Sequence, residues 1–185
     1  NSFTTLRRSI IGGWIFGLFY VSIIIYWLSQ NIGTSQTIAW ITLVVASLFL
    51  ALNYIIISGL YYIIRKGVPW GKTWLLAIIW TAVEFARSFG ILGFPWISLG
   101  NTQSAYLLPI QIAEFTSIYG LSFWLVMINS SLYKLIEMKR FREGLVFSIV
   151  FILPFLCGYM LMDNIPLQGS SLKVGIIQPN IHEDN

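Results

Sequence analysis

The residues best suited to chemistry lie in one stretch, WTAVEFARSFGILGFPWISLG, over residues 80–100. Glu84 and Arg87 sit there inside an apolar, helix-forming pattern. A charge at the centre of a bilayer helix costs roughly 2.5–3.5 kcal/mol on insertion scales, so such residues are seldom present without a role. Arg87 is three residues after Glu84 and Ser88 four. All three therefore share one helix face, where the opposite charges are placed to neutralise each other. Two roles fit the pair. It is a structural ion pair that fixes helix packing, or it lines a lipid-facing or substrate-facing cavity. An apolar pair would be cheaper, which keeps the second role open. The helix is expected to stop at GILG, residues 90–93, and Pro95 bars simple continuation. Trp96 follows, at the membrane–water interface that an indole prefers. Gly93, Phe94, Pro95 and Trp96 thus form a short turn carrying an aromatic wedge.

Other polar residues have plainer readings. Glu114 opens a later apolar helix, where an acid suits the positive end of the helix dipole. Cys157, the only cysteine, lies in the apolar run FLCGY with no base beside it, and a thiol in such surroundings is inert packing. It also excludes an intrachain disulfide. His182 stands alone in a polar tail without metal-ligand spacing around it. Trp80 and Trp124 read as packing residues. There is no Ser/His/Asp set, no Gly-rich phosphate loop and no paired Cys/His ligands, so neither a metal nor a cofactor is implied.

The elements that must position these residues follow from composition. Of 185 residues, 57% are hydrophobic and only 10% charged. A soluble domain carries about 25% charged residues, so this chain belongs in a bilayer. Five segments are long and apolar enough to cross: residues 11–28, 38–64, 74–92, 112–136 and 144–162. A crossing takes about 20 residues. The second segment is long, and must tilt or end early near Asn53. Arg7-Arg8 before an apolar run mimics a secretory signal, but no small-residue cleavage site follows.

The net charge of +4 might suggest an anionic partner. However, the basic residues cluster between apolar runs as topology signals, with no basic stripe, which argues against nucleic acid. They are Arg7 and Arg8, then Arg65, Lys66 and Lys72, then Lys134, Lys139, Arg140 and Arg142. The intervening connections, residues 29–37 and 94–111, carry no charge. By the positive-inside rule the basic connections are cytoplasmic, and the fifth helix delivers residue 163 onward to the opposite side. Residues 163–171 read as a linker. Residues 172–178 are rich in branched apolar residues and read as a β-strand, ended by Pro179-Asn180. The expected fold is an all-α polytopic membrane domain over residues 1–162, with the opening strand of a second domain over residues 172–185. The chain starts at Asn1 and stops inside that strand-turn, and reads as a fragment.

The run from Trp80 through Glu84, Arg87 and Ser88 into Gly93-Phe94-Pro95-Trp96 and Gly100 resembles the apolipoprotein N-acyltransferase family. LKVGIIQPNI, residues 172–181, is similar to the first strand of that family's nitrilase-like domain, with Gln178 and Asn180 in its signature. The resemblance implies a bacterial inner-membrane protein. Its acyl donor is a membrane phospholipid, and its acceptor is the N-terminal diacylglyceryl-cysteine of a lipoprotein. It implies a ping-pong reaction through a cysteine thioester, using a Glu-Lys-Cys triad that falls after Asn185. No catalytic residue is then expected in residues 1–185. Glu84, Arg87, Gly93, Pro95 and Trp96 are the site-supporting candidates, with the turn at Trp96 either an interface anchor or a guide for the phospholipid. The alternative is a polytopic protein that binds or transports lipid without catalysis.

Overall fold

The computed structural model describes residues 5–68, 72–90, 93–139, 141–163 and 174–176. Six helices carry the fold: α1 (Leu6–Ile24), α2 (Gln36–Ile64), α3 (Lys72–Arg87), α4 (Leu107–Ile110), α5 (Ala113–Met138) and α6 (Phe141–Asp163). Short 3-10 segments fill the connections at Tyr26–Gln30, Pro95–Ile97 and Leu99–Gln103. Among the described residues there is no strand, and residues 174–176 are exposed. The rest of the expected strand, with Gln178, Asn180 and His182, lies outside the described residues, as does the linker from residue 164 onward.

Local chemistry sets the helix starts. Thr5 accepts the Arg8 amide through its side chain at 3.3 Å, and Ser35 accepts the Ile38 amide at 3.4 Å. Both satisfy amides that a helix N-terminus leaves free. Asn53 does not end α2. Its side-chain amide folds back onto the Leu50 carbonyl at 2.9 Å, and the helix runs on to Ile64. The 29 residues of α2 span about 43 Å, well over a hydrocarbon core of about 30 Å, which requires tilt.

Among the described residues four helices, not five, are long and apolar enough to cross a membrane: α1, α2, α5 and α6. The expected third span shortens to the 16 residues of α3, about 24 Å long. Its apolar sequence continues to residue 92, but the backbone turns away after Arg87. Gly90 takes φ +83°, a conformation that favours glycine. The Phe94 amide then donates to the Arg87 carbonyl at 3.1 Å, closing the helix end.

The helices pack as antiparallel neighbours. Rising positions on α1 meet falling positions on α2: Ser9 donates its hydroxyl to the Ser58 carbonyl at 3.0 Å, and Gly17 faces Tyr54. Ser9, Gly13 and Gly17 make a stripe of small residues that lets the backbones approach, the usual way helices associate where lipid removes the hydrophobic drive. A Cβ on Gly17 would lie 2.7 Å from the Tyr54 ring, and one on Gly13 would strike the Ser58 hydroxyl. One core cluster joins Val21, Ile25, Leu50, Tyr54 and Ile79 with Ile97. A second joins Ala77, Val126 and Met127. The short α3 contributes to both and is the centre of the bundle. Much apolar surface faces outward, including Phe19, Ile23, Ile63 and Ile149. This is the surface of a multi-pass membrane protein.

Two irregularities interrupt the helices, and one of them is compensated. Pro154 stands inside α6 and has no amide hydrogen for the Val150 carbonyl one turn earlier. The Trp124 indole N–H of α5 donates to that carbonyl at 2.7 Å. Trp124 is therefore more than packing. Ser117 breaks α5 near its start at φ 60°, ψ −176°, a region that costs about 1–3 kcal/mol for a residue with a side chain.

The small-residue stripe predicts a contrast within one interface. Gly17→Leu should destabilise the folded chain by about 1–3 kcal/mol, the usual cost of overpacking. Gly59→Ala should be neutral or stabilising, because the nearest atom to its added methyl is 3.9 Å away. Denaturant titration of helical circular dichroism in detergent measures both. Equal effects would show that the stripe does not set the α1–α2 distance.

Candidate functional site

The region around α3 gathers the singled-out residues. Glu84 is 2% exposed. Its Oε1 accepts two hydrogen bonds, from Trp80 Nε1 at 2.9 Å and from the Leu99 backbone amide at 2.8 Å. The first lies one helical turn away on α3. The second comes from the loop that follows Pro95. Glu84 Oε2, and Nε and Nη2 of Arg87, are buried without hydrogen-bond partners. These atoms make no hydrogen bond to one another, and the hydrogen bonds of the carboxylate go to Trp80 and to the loop. A carboxylate accepts a backbone N–H strongly, and here that contact also satisfies an amide at the start of a 3-10 turn.

Around this carboxylate stands an aromatic wall from three helices. Trp80 packs on Tyr54 at 5.3 Å and on Tyr20 at 6.1 Å between ring centroids, and Phe16 closes the group at 6.2 Å from Trp80. The rings meet mostly edge to face, the arrangement their quadrupoles favour. Tyr20 and Tyr54 are electrostatic neighbours of both Glu84 and Arg87. Neither tyrosine stands out in the sequence, because aromatic residues are 16% of the chain.

The loop is built from tight turns. Gly93 has no room for a side chain: a Cβ would lie 2.9 Å from the carbonyl oxygens of Ser88 and Gly90. Pro95 opens the 3-10 segment, where its missing N–H is harmless and its fixed φ suits the turn. The turn sends its next two residues in opposite directions. Ile97 is 2% exposed in the core, and Trp96 is 72% exposed. Asn101 braces the turn, donating its side-chain amide to the carbonyls of Pro95 at 3.3 Å and Trp96 at 3.0 Å. The Trp96 ring lies 6.4 Å from that of Trp27, itself exposed in the segment after α1.

Glu84, Pro95 and Trp96 are thus brought together through the loop backbone, and Gly93 shapes its approach. Arg87 lies at the end of the same helix. Glu114 is exposed in the first turn of α5, consistent with its dipole role. Cys157 is half-buried in α6. Ser122, whose hydroxyl accepts the Gly100 amide at 2.8 Å, was not anticipated. It is one of several serines in apolar helices, and nothing in its spacing marks it. Among the described residues no His, Cys, Asp or Glu cluster of three gathers to hold a metal. A groove of about 580 Å³ lies elsewhere, between the end of α5 and the start of α6 against Leu135, Lys139 and Phe141. The chemistry of the Glu84 region is positional: a buried acceptor holds a loop that displays an indole.

Comparison with known proteins places this arrangement. Residues 1–131 match the family profile described as the apolipoprotein N-acyltransferase N-terminal domain. A protein of Geobacter metallireducens named apolipoprotein N-acyltransferase is 32% identical across 96% of the chain. One of the same name from Coxiella burnetii is 26% identical across 91%. Another, from Thermotoga maritima, is 32% identical across 60%. The chain spans 36% of the length of each of the first two relatives. With the family profile covering well over half of the residues, including the α3 helix and the Trp96 loop, the chain belongs to the apolipoprotein N-acyltransferase family.

Proposed function

We propose that the whole protein transfers an acyl chain from a membrane glycerophospholipid to the N-terminal S-diacylglyceryl-cysteine of lipoproteins. Residues 1–162 then form its membrane domain. The family match over residues 1–131 carries this reading. The reaction proceeds through a cysteine thioester formed by a Glu-Lys-Cys triad in a nitrilase-like domain that begins at residue 172. The membrane domain supplies no nucleophile in this scheme. It brings the phospholipid to the catalytic domain and holds it there. The braced, exposed Trp96 supports that role, since its ring is available to pack on an acyl chain, and Trp27 stands beside it. Gly93 and Pro95 shape the loop, Glu84 holds it from behind, and Arg87 lies beside the tyrosines at the same helix end.

The orientation belongs to the same proposal. Arg65 and Lys66 follow α2, and Lys134 and Lys139 lie at the end of α5. The positive-inside rule puts these in the cytoplasm of a bacterial inner-membrane protein. This orientation requires the short α3 and its flanking residues to carry the chain back across; the Trp96 loop and the residues after α6 then face outward, on the side of the lipoprotein substrate. In a Cys157→Ala background, a cysteine at Ser104 should react with a membrane-impermeant maleimide on intact spheroplasts. A cysteine at Lys139 should react only after lysis. Labelling of position 139 from outside would reverse the assignment.

The lipid-guiding role predicts a graded series at one position. In the full-length enzyme, Trp96→Ala should slow formation of the acyl-enzyme by about 10- to 100-fold, because small misplacements of a reacting group are costly. Trp96→Phe should fall between this and wild type. Acyl loading from a labelled phospholipid, at matched membrane abundance, measures the effect. Equal loading in all three would leave Trp96 as an interface anchor. Absence of any acyl-enzyme in the wild type would favour a non-catalytic lipid-binding protein.

A further inference from the structure

The loop that carries Trp96 is held by two consecutive backbone amides, and each ends on a side chain from a different helix. Leu99 N–H donates to Glu84 Oε1 on α3, and Gly100 N–H donates to Ser122 Oγ on α5, both at 2.8 Å. These amides open the 3-10 segment Leu99–Gln103, so no carbonyl within that segment is available to them. Both acceptors are buried, Glu84 at 2% and Ser122 at 0% exposure. The contact is close enough to require glycine: a Cβ on Gly100 would run into the Ile118 carbonyl on α5.

We infer that Glu84 and Ser122 are positioning residues for Trp96, and that Glu84 acts through one carboxyl oxygen and not through its charge. The linkage to Trp96 is short. Asn101 ties the clamped segment back to the Pro95 and Trp96 carbonyls, so a shift at Leu99 or Gly100 is passed directly to the indole. The second half follows from how the carboxylate is used. Both donors converge on Oε1, while Oε2, and Nε and Nη2 of Arg87, form no hydrogen bond. A glutamine offers the same carbonyl acceptor at the same reach. An alanine leaves the Leu99 amide and the Trp80 indole N–H buried without an acceptor, the costly way to lose a hydrogen bond. Ser122 is the milder partner, since its loss frees one amide only. The inference rests on the reading of Trp96 as a lipid guide only for its effect on turnover.

The test uses the full-length enzyme in membranes, with Cys157→Ala and a nitroxide on Ser104→Cys, an exposed position at the end of the clamped segment. Two quantities are read: label mobility by electron paramagnetic resonance, and the rate of acyl-enzyme formation. Glu84→Ala and Ser122→Ala should each mobilise the label. Each should also slow loading, Glu84→Ala by about 10-fold or more and Ser122→Ala by less. Glu84→Gln should keep mobility unchanged and loading within about twofold of wild type. Adding Arg87→Ala to Glu84→Ala should restore neither quantity. Should Glu84→Ala fail to reach the membrane, Ser122→Ala and Glu84→Gln still decide the matter. An immobile label in Ser122→Ala overturns the clamp. Loss in Glu84→Gln equal to that in Glu84→Ala, or rescue by Arg87→Ala, shows that charge is what matters and overturns the second half. The label reports the clamp whatever Trp96 does. Full activity in Trp96→Ala beside a mobilised label would therefore sink the lipid-guiding reading and leave the clamp supported.

Discussion

Within hydrocarbon, every backbone amide or carbonyl that leaves a helical ladder must find its partner inside the protein, and most of this architecture follows from that constraint. Between residues 93 and 112 the chain is irregular or 3-10 apart from the single turn of α4, and the cost is met locally. The Phe94 amide returns to the end of α3, the Leu99 amide reaches Glu84, and the Gly100 amide reaches Ser122. The same logic operates in α6, where Pro154 strands the Val150 carbonyl and the Trp124 indole satisfies it from α5. A buried carboxylate and a buried serine are expensive among apolar helices. Here each is the partner that an irregular loop needs.

That constraint explains why α3 is short and central. A helix of full length at this place would leave no room for a loop to enter the bundle. By stopping at Arg87, α3 opens a space that Ile97 and Leu99 fill from the loop side, each joining a core cluster to which α3 also contributes. The aromatic wall of Phe16, Tyr20, Tyr54 and Trp80 then packs around the helix that carries Glu84. The close approach of α1 to α2 through Gly13 and Gly17 brings Tyr54 to that wall. Packing far from the loop thus sets the position of its acceptor.

Much of this was legible in the sequence, and the misses have physical reasons. The membrane class and the long helices follow from hydropathy, which reads composition well. Glu84 was visible because a charge in an apolar helix is conspicuous. Its partner was not, because it is a backbone amide fifteen residues away, and no side-chain pattern announces one. Arg87, three residues along, was one natural partner, but the hydrogen bonds of Glu84 go to Trp80 and the loop. The third span fell short because residues 88–92 are apolar enough to extend a helix, yet Gly90 turns the backbone out of it. Asn53 misled in the other direction: a polar residue that satisfies its own side chain on the Leu50 carbonyl interrupts nothing. Ser122 carried no signal at all, since a serine in an apolar helix more often bonds the carbonyl one turn back.

The loop shows how rigidity and exposure are combined in one short segment. A large exposed indole on a mobile loop would lose much of its binding contribution to ordering. Here the turn is held by contacts within the protein itself. Ile97 anchors one side of the turn in the core, Asn101 crosses its back, and two buried acceptors hold the following segment. Trp96 is left with its side chain outward and its backbone held at both ends. The ring pair with Trp27 extends the fixed surface to the segment that follows α1. The buried acceptor and the exposed aromatic thus belong to one loop, held at Leu99 by a Glu84 oxygen inside the bundle and displaying Trp96 outside it.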